Sequence, residues 1–381
     1  MTAARPVERP LRLAIIRQRW NPFGGAERFV DRAVHALLAR GVDVTLLARH
    51  WQSAEGLRTE RLDPFYLGSV WRDAGFARAA RAAVARGGYD LVQSHERIDC
   101  CHVYRAGDGV HRAWLERRAR AEGGAWRALS PFHRYTLAAE ARLFASPRLE
   151  AVICNAGMVR DEIERHFGVD PARLHVIRNG VDTAAFSPSL RSAHRERVRA
   201  QLGIAADEPV FLFVGSGFGR KGVATALQAL ASVPAGTLVV VGGDKHAARY
   251  QALAGRLGLG PRTRFTGPQQ DAKPFYGAAD AFVLPTLYDP FPNAALEALA
   301  CALPVITTDG CGAAEVLHDP ACGLVVPAGD VPALAAAMAH LLDATTRDAM
   351  GTAARAVARR HSLEAMTDAL LALYGHLLAD R

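Results

Sequence analysis

The sequence predicts an α/β protein of two domains, each built around a parallel sheet. Short apolar segments alternate with helical patterns along almost all of the 381 residues, as they do in chains of βαβ units. The alternation is interrupted once, by a polar, charged segment around Pro188 that is rich in Arg and Ser. We interpret this segment as a linker, since a chain of this length can form two domains with separate cores.

The first domain is predicted to span residues 1–183. A helix from about Glu27 to Leu38 follows its first strand, and a later helix ends at Phe167. Between the first strand and its helix, Gly24 and Gly25 let backbone amides approach a ligand closely, although a plain turn explains them equally well. The predicted strands are LRLAII (11–16), VDVTLLA (42–48), YDLVQSHE (89–96), EAVICN (150–155) and LHVIRNGVD (174–182).

The second domain is predicted to span residues 184–361, and a C-terminal helix over about 362–381 is expected to pack back on the first domain. Both domains are predicted to be Rossmann-like, with a cleft between them. Ligands of open α/β sheets bind at the carboxyl ends of the strands, so the loops at those ends are the candidate sites. The predicted strands are PVFLFVG (209–215), GTLVVVGG (236–243), RTRFTG (262–267), DAFVLPT (280–286) and LPVITT (303–308).

The turn GFGRKG (217–222) carries two cations. Its glycines match the dinucleotide-binding pattern, and Asp244 lies near the distance expected of a ribose-binding acid. Arg220 and Lys221 at a helix N-terminus, beside free N–H groups, favour a diphosphate. Reactions that expel a diphosphate need such charges, whereas hydride transfer does not. An exposed Arg–Lys pair on a surface turn is the alternative.

A pair of acids marks the stretch YDPFPNAALEALACALPVITT (288–308). Glu297 stands in an apolar helix, where an ionised carboxylate is costly to bury without a partner. Pro290 and Pro292 suit a helix start. We therefore expect Asp289 just before the helix and Glu297 about two turns inside, both facing a polar ligand. A capping Asp and a Glu that reaches water are the alternative.

The net charge of +8 lies entirely in the first half of the chain. Residues 1–183 contain 29 Arg and no Lys against 21 Asp plus Glu, whereas residues 184–381 contain 17 basic and 17 acidic residues. This asymmetry predicts an anionic partner for the first half: a membrane surface, a phosphorylated acceptor or nucleic acid. A genomic bias toward Arg is the alternative, but it should act on both halves.

The segment 107–142 mixes aromatic residues with Arg. This composition fits an interfacial amphipathic helix and equally an ordinary pair of helices with Arg on the solvent side. The residues concerned are Trp114, Trp126, Phe132 and Tyr135, among Arg112, Arg117, Arg118, Arg120, Arg127, Arg134 and Arg142.

Several classes of protein are disfavoured. No apolar run approaches the ~18 residues of a membrane span, and MTAARPVERP lacks the apolar stretch of a signal peptide. The six Cys show no metal-binding spacing and fit a reducing cytosol. The absence of an Asp-x-Asp motif leaves a metal-bridged diphosphate without obvious ligands, so that side-chain cations would stabilise the leaving group instead.

Taken together, these residues resemble the retaining glycosyltransferases of family 4, which have the GT-B fold: two Rossmann-like domains whose parallel sheets face each other across a cleft. The resemblance covers nearly the whole chain. Within the family the chain is most similar to the branch of lipopolysaccharide core glucosyltransferases I. The motifs that carry it are the early Gly-Gly loop, YDLVQSHE, NGVDTAAFSP (179–188), GFGRKG, VVVGGD and the acid pair followed by ACALPVITT.

The resemblance implies transfer of glucose from UDP-glucose onto a heptose of the lipopolysaccharide core. It implies a cytoplasmic enzyme, peripheral on the inner face of the cytoplasmic membrane, with no metal and no cofactor besides the nucleotide-sugar co-substrate. The implied partners are that donor, a lipid-linked glycan acceptor and an anionic membrane surface, and not nucleic acid.

The resemblance also assigns roles to residues. Arg220 and Lys221 would hold the donor diphosphate, Asp289 the hydroxyls of the donor sugar and Glu297 the ribose. Asp108 would lie near the reacting sugar, with His111 as the competing candidate. Catalysis would thus involve Asp108, Arg220, Lys221 and Asp289. Donor binding would also involve Gly24, Gly25, Gly217, Phe291 and Asn293.

Two departures from the family leave the donor sugar open. Asp289 is shorter than the usual Glu, and Pro292 replaces a Gly and removes one N–H. Another donor, such as mannose or an N-acetylhexosamine, with another glycan acceptor is therefore the main alternative. An NAD(P)-binding oxidoreductase built on GFGRKG is a remote one, and a basic module that binds nucleic acid is a third.

Overall fold

The computed structural model describes residues 9–19, 25–51, 56–122, 130–318 and 321–381. These residues form two parallel sheets joined by helices. In the first strand, Leu13 and Ile15 pack into one apolar cluster and Ala14 and Ile16 into another. Helices therefore cover both faces of this sheet, as expected of doubly wound α/β folds.

The first sheet has seven strands in the order β3-β2-β1-β4-β5-β6-β7. The order reverses between β1 and β4, and such a reversal creates a crevice beyond the carboxyl ends of the two strands. The strands are β1 Arg12–Ile16, β2 Asp43–Ala48, β3 Arg58–Arg61, β4 Leu91–Ser94, β5 Val103–Arg105, β6 Ala151–Cys154 and β7 Leu174–Val176, and the helices are α1 Gly25–Ala39, α2 Gly68–Arg86, α3 His111–Glu122, α4 Pro131–Phe144 and α5 Gly157–Phe167.

The second sheet has six strands in the order β10-β9-β8-β11-β12-β13, which reverses between β8 and β11. The strands are β8 Val210–Val214, β9 Thr237–Val241, β10 Thr263–Gly267, β11 Ala281–Val283, β12 Val305–Thr308 and β13 Gly323–Val326. The helices are α6 Ser189–Leu202, α7 Phe218–Lys221, α8 Val223–Ala231, α9 Ala247–Arg256, α10 Lys273–Ala278, α11 Asn293–Ala300, α12 Val331–His340, α13 Ala344–Arg360 and α14 Leu363–Ala379.

The chain passes between the two sheets at two adjacent points. Val181 donates to the carbonyl of His361 at 2.9 Å and accepts from the amide of Leu363 at 3.0 Å. The last helix, α14, then packs on α1. Its Tyr374 hydroxyl donates to Gln93 Oε1 on β4 at 2.6 Å, which ties α14 to the centre of the first sheet.

Two sequence-based expectations are wrong in detail, and three strands were missed. The segment around Pro188 that we interpreted as a linker continues into helix α6, which begins at Ser189 and packs on α10. The strand expected over residues 174–182 ends at Val176. Strands β3, β5 and β13 were not predicted: β3 reads RTER and β5 has three residues, too polar or too short to give an apolar pattern. The other predicted strands are present, most of them with shorter ends.

Candidate active site

A cavity of about 550 Å³ lies between the carboxyl ends of the two sheets. It lies where both strand orders reverse, so the loops after β1, β4, β8 and β11 all contribute to its walls. Eight predicted site residues line it: Asp108, His111, Arg220, Lys221, Asp289, Phe291, Asn293 and Glu297. Gly217 and Gly25, the first residue of α1, are not among the residues that line the cavity. Gly24 lies outside the described residues.

The turn that carries Arg220 and Lys221 is fastened to the loop after β11. The Arg220 carbonyl accepts from the amide of Leu287 at 2.9 Å and from Thr286 Oγ1 at 3.0 Å. Gly222 makes this approach possible: its φ is +80°, and a Cβ there would lie 1.9 Å from the carbonyl oxygen of Pro285. The two cations and Asp289 are therefore parts of one compact unit.

Both cations contact Asp289. Lys221 Nζ lies 2.9 Å and Arg220 Nη1 3.2 Å from the same carboxylate oxygen, Oδ2. Burial raises the pKa of the Asp289 carboxyl, but Lys221 and Arg220 outweigh burial and hold that pKa below its usual range. The two cations therefore provide the compensation that a buried carboxylate needs.

The first backbone N–H of the helix in the glycine turn already has a hydrogen-bond acceptor within the protein. Asp244 Oδ2 accepts from the amide of Phe218, the first residue of α7, at 2.8 Å, and Oδ1 accepts from the amide of His246 at 2.7 Å. The prediction of free N–H groups there is thus wrong for the Phe218 amide. Asp244 binds backbone rather than facing the cavity, so the glycine pattern does not form a dinucleotide site of the expected kind.

Glu297 is buried and has two partners. Its Oε2 accepts from the Tyr276 hydroxyl at 3.0 Å, and its Oε1 from Arg32 Nη2 at 3.3 Å. Only 5% of the side chain is exposed, which rules out a carboxylate that reaches water. Because α11 begins at Asn293, Glu297 lies about one turn inside the helix rather than two. Arg32 belongs to α1, so this pair connects the two sides of the cleft.

Asp108 and His111 lie on the wall formed by the first sheet. The Asp108 carboxylate is half exposed and 3.7 Å from Arg17 Nη1. His111 Nε2 is 3.0 Å from His133 Nδ1, and its backbone N–H donates to Glu140 Oε1 at 2.7 Å. Burial, together with Arg97 and His133, lowers the pKa of His111 to about 3. The imidazole is therefore neutral at physiological pH.

Sequence reasoning missed residues that join the two sides of the cleft. The Tyr288 hydroxyl accepts from the amide of Val110 at 2.9 Å and donates to Glu162 Oε2 at 2.6 Å. Asn179 Nδ2 donates to the carbonyl of Phe291 at 3.0 Å and to Asn293 Oδ1 at 2.7 Å. Asn179 stands in the NGVD motif, which was the only available signal for it.

Glu315 makes a third such contact. Its two carboxylate oxygens accept from the amides of Gly157 and Met158, at 2.9 and 2.8 Å. These are the first two residues of α5, so an acid from the second half of the chain compensates the partial positive charge of a helix start in the first half. Its Oε2 also accepts from Arg178 Nη2 at 2.8 Å.

The aromatic, Arg-rich segment forms helices α3 and α4, and residues 123–129, including Trp126 and Arg127, lie outside the described part. Trp114 packs against Tyr288, with ring centroids 6.4 Å apart, and Phe132 and Tyr135 are half-buried. The described part therefore favours an ordinary pair of helices over an interfacial helix with exposed aromatic residues.

Two further observations concern only the described residues. Among them no group of three His, Cys, Asp or Glu side chains is arranged to hold a metal ion. Within the same ranges no helix has the length and apolarity needed to cross a membrane.

Two family models match the chain. The model named Glycosyltransferase Family 4 matches residues 23–185, and the model named Glycosyl transferases group 1 matches residues 194–357. The chain belongs to glycosyltransferase family 4. The predicted resemblance is confirmed, and the two matches meet near the first passage between the sheets.

Relatives of this glycosyltransferase have names that give different acceptors. Lipopolysaccharide glucosyltransferase WaaG of Escherichia coli is 26% identical over 315 residues, which are 81% of this chain and 83% of WaaG. The D-inositol 3-phosphate glycosyltransferase of Mycobacterium bovis is 34% identical over 231 residues. The aligned region covers 58% of this chain and about half, 47%, of that relative.

Solved structures confirm the GT-B fold of this glycosyltransferase. The crystal structure of WaaG, described as a glycosyltransferase involved in lipopolysaccharide biosynthesis, has a TM-score of 0.82 at 24% identity and covers 94% of this chain and 98% of its own. The structure of Anabaena Alr3699/HepE in complex with UDP-glucose has a TM-score of 0.72 at 20% identity, with coverages of 97% and 99%.

Proposed function

We propose that this glycosyltransferase moves glucose from UDP-glucose, with retention at the anomeric carbon, onto a heptose of a lipopolysaccharide core. The observation that carries the proposal is the contact of Arg220 and Lys221 with Asp289 in the cavity between the sheets. Such a cluster suits a diphosphate leaving group attached to a sugar with free hydroxyls. The relative named lipopolysaccharide glucosyltransferase and the similar fold holding UDP-glucose support the choice of donor and acceptor.

In the proposed complex the diphosphate takes over the contacts that Asp289 now makes. Arg220 and Lys221 bind the phosphate oxygens, and Asp289 becomes available to accept from hydroxyls of the donor sugar. Glu297 accepts from the ribose hydroxyls, next to Phe291 and Asn293 at the start of α11. Gly24, Gly25 and Gly217 remain proposed contacts at the edges of the donor.

The proposed chemistry needs no group outside the chain and its substrates. The bond between the anomeric carbon and the phosphate oxygen breaks, and the acceptor oxygen bonds to that carbon from the same face. The proton of the acceptor hydroxyl passes to the departing diphosphate, whose charge Arg220 and Lys221 stabilise. Asp108 and the neutral His111 lie on the opposite wall, where each can accept a hydrogen bond from a sugar hydroxyl.

The acceptor in this proposal is a lipid-linked glycan at the inner face of the cytoplasmic membrane. The excess of Arg in residues 1–183 supports an anionic surface as the neighbour of the first domain. A neutral acceptor free in solution would give no reason for this excess of positive charge in the first domain.

A panel of nucleotide sugars tests the donor directly. The protein is incubated with UDP-glucose, UDP-N-acetylglucosamine and GDP-mannose, with and without a chelator, and the released nucleotide diphosphate is measured. We expect release from UDP-glucose, unchanged by the chelator and faster with a heptose-terminated core acceptor. Release from another donor alone would move the proposal to the other family 4 activities, and formation of the inverted anomer would overturn the mechanism.

A further inference from the structure

One short segment holds all of the strongly exposed large apolar side chains in the described part of the chain. Phe65 is 73% exposed, Leu67 67%, Trp71 50% and Tyr66 37%. Single exposed apolar residues are common on protein surfaces, but four within seven positions form a patch, and such patches mark interaction sites. We call Phe65, Leu67 and Trp71 the apolar patch.

The loop before α2 is held rigidly in this exposed conformation. The buried Arg49 bonds to Asp63 Oδ1 at 2.5 Å and to the carbonyl of Pro64 at 2.8 Å, and its guanidinium lies over the Tyr66 ring at 4.5 Å. Arg19 Nη2 also donates to the Tyr66 hydroxyl at 3.0 Å. Tyr66 is thus tied back to the domain, while its neighbours on either side point into solvent.

Folding does not explain the apolar residues at these positions. Leu67 is the N-cap residue of α2 and makes no side-chain cap, although Ser, Thr, Asp or Asn there would stabilise the helix. Phe65 and Trp71 contact each other edge to face, with centroids 5.8 Å apart, and both remain largely exposed.

Several Arg lie near the patch in sequence. Between Arg61 and Arg86 the chain has five Arg and two Asp, and four of these Arg form ion pairs with acids: Arg61, Arg72, Arg81 and Arg86. Arg78 is exposed and lies seven positions after Trp71 on α2, which places both on one helix face. The neighbouring helix α4 packs on α2 and adds the exposed Arg134. Exposed apolar side chains with exposed Arg on the same and the neighbouring helix match the interface of an anionic bilayer, where rings enter the headgroup region and cations bind phosphate.

The patch lies on the same side of the molecule as the cavity. It follows β3, at the carboxyl edge of the first sheet. Gln18 Nε2, in the loop after β1, donates to Asp73 Oδ1 in the second turn of α2 at 3.2 Å, and the adjacent Arg17 lines the cavity. A surface that covers the patch would therefore lie close to the rim of the active site.

We propose that the apolar patch inserts into the headgroup region of an anionic bilayer, that Arg78 on α2 and Arg134 on α4 bind lipid phosphates, and that this contact sets the cleft opening beside the lipid surface. This deepens the proposed function, because it explains how a lipid-linked acceptor reaches the cavity without leaving the membrane. The occupant is the bilayer surface itself rather than one lipid molecule.

Flotation with vesicles tests the proposal on the full chain. The vesicles contain equal parts of phosphatidylglycerol and phosphatidylcholine, or phosphatidylcholine alone. We expect binding to the anionic vesicles only, and a loss of about tenfold or more in the triple variant F65S/L67S/W71S. The double variant R78Q/R134Q should weaken binding to the anionic vesicles and make that binding less dependent on salt. Arg249→Gln on α9 is a matched control that should change neither the binding nor its salt dependence.

Tryptophan fluorescence tests whether Trp71 itself enters the bilayer. Emission of the wild type should be quenched by brominated lipid, and Trp71→Phe should remove most of that quenching. Unchanged binding of the triple variant, or quenching that persists without Trp71, would overturn the proposal. A dimer in solution that the triple variant dissociates would also overturn it, because a second copy would then cover the patch.

UDP-glucose hydrolysis without vesicles separates this inference from the proposed function. The triple variant should hydrolyse UDP-glucose at the wild-type rate, since the patch lies outside the cavity. If no nucleotide sugar is turned over but patch-dependent binding to anionic vesicles remains, the donor assignment fails and the docking surface stands.

Discussion

Lys221 Nζ lies 2.9 Å from Asp289 Oδ2 in the cleft between the two sheets. With Arg220 on the same oxygen, two cations share one carboxylate, and the cluster has a net charge of +1. A diphosphate carries more negative charge and more acceptor oxygens than this carboxylate, so in the proposed complex it would displace Asp289 from the cations. Donor binding would thereby both neutralise the cations and free an acid for the donor sugar.

The first prediction concerns Lys221. Lys221→Ala should lower the rate of UDP-glucose turnover by about 10²–10³-fold, because one charge that stabilises the leaving diphosphate is lost. Single-turnover release of UDP measures the effect. Lys273→Ala, which removes the same side chain from α10 in the same domain, is the matched control and should leave the rate unchanged.

The second prediction separates the two partners of Glu297. If Glu297 binds the ribose as proposed, the ribose must displace Arg32 from Oε1 of Glu297. Glu297→Gln should therefore raise the KM for donor by about tenfold, as expected for loss of a charge-assisted hydrogen bond, with a smaller change in kcat. Arg32→Gln should leave that KM equal or lower. A KM raised equally by both variants would instead indicate that the pair acts by holding the cleft closed.

The third prediction is an effect of pH on stability. Burial lowers the folded-state pKa of His111 from 6.5 to about 3, so the unfolded chain takes up this proton first as the pH falls. His111 thus contributes stability that is fully present above pH 6.5 and is lost progressively between pH 6.5 and about 3. The melting temperature of His111→Gln should fall less steeply than that of the wild type across this window. Parallel curves would show that other groups govern acid unfolding.

The two-domain architecture could be predicted from sequence because most strands are buried runs of Val, Ile, Leu and Phe. In β8, for example, all five residues, VFLFV, are buried. Helix α6 was not predicted, because its sequence is rich in Arg and other polar residues. Arg199 is buried there because it donates to the carbonyls of Ala278 and Glu208 and to Asp280 Oδ2, and no periodicity argument treats an Arg as a core residue.

For the site, the charged residues could be predicted from the sequence, but their binding partners within the protein could not. Arg220, Lys221, Asp289 and Glu297 were found because ionisable residues in glycine turns and apolar helices violate local expectations. Their partners were not, since Arg32 and Glu297 are 265 positions apart and nothing local links them. The free helix start at Phe218 was wrongly expected because Asp244 reaches it from the loop after β9.

The fourth prediction concerns the contact of Tyr288 with the first domain. The hydroxyl accepts from the amide of Val110 and donates to the buried Glu162, so Tyr288→Phe leaves two buried polar groups without this partner. We expect the free energy of unfolding to fall by about 1–3 kcal/mol, measured by urea titration. Tyr89→Phe, at the half-buried Tyr89 after α2, removes a hydroxyl away from the cleft and should change it by less than about 0.5 kcal/mol.

A double-mutant cycle with Glu162→Gln separates the carboxylate from the backbone amide. If the hydrogen bond from Tyr288 stabilises Glu162, the two substitutions should couple by about 0.5–3 kcal/mol. Burial raises the pKa of Glu162 and the Tyr288 hydroxyl opposes that rise, so Tyr288→Phe should raise this pKa further. Because the folded variant then keeps the Glu162 proton to higher pH than the unfolded chain does, the stability lost in Tyr288→Phe should be smaller at acid pH than at neutral pH. Additive effects in the cycle would mean that Val110, and not Glu162, accounts for the role of Tyr288 in holding the domains together.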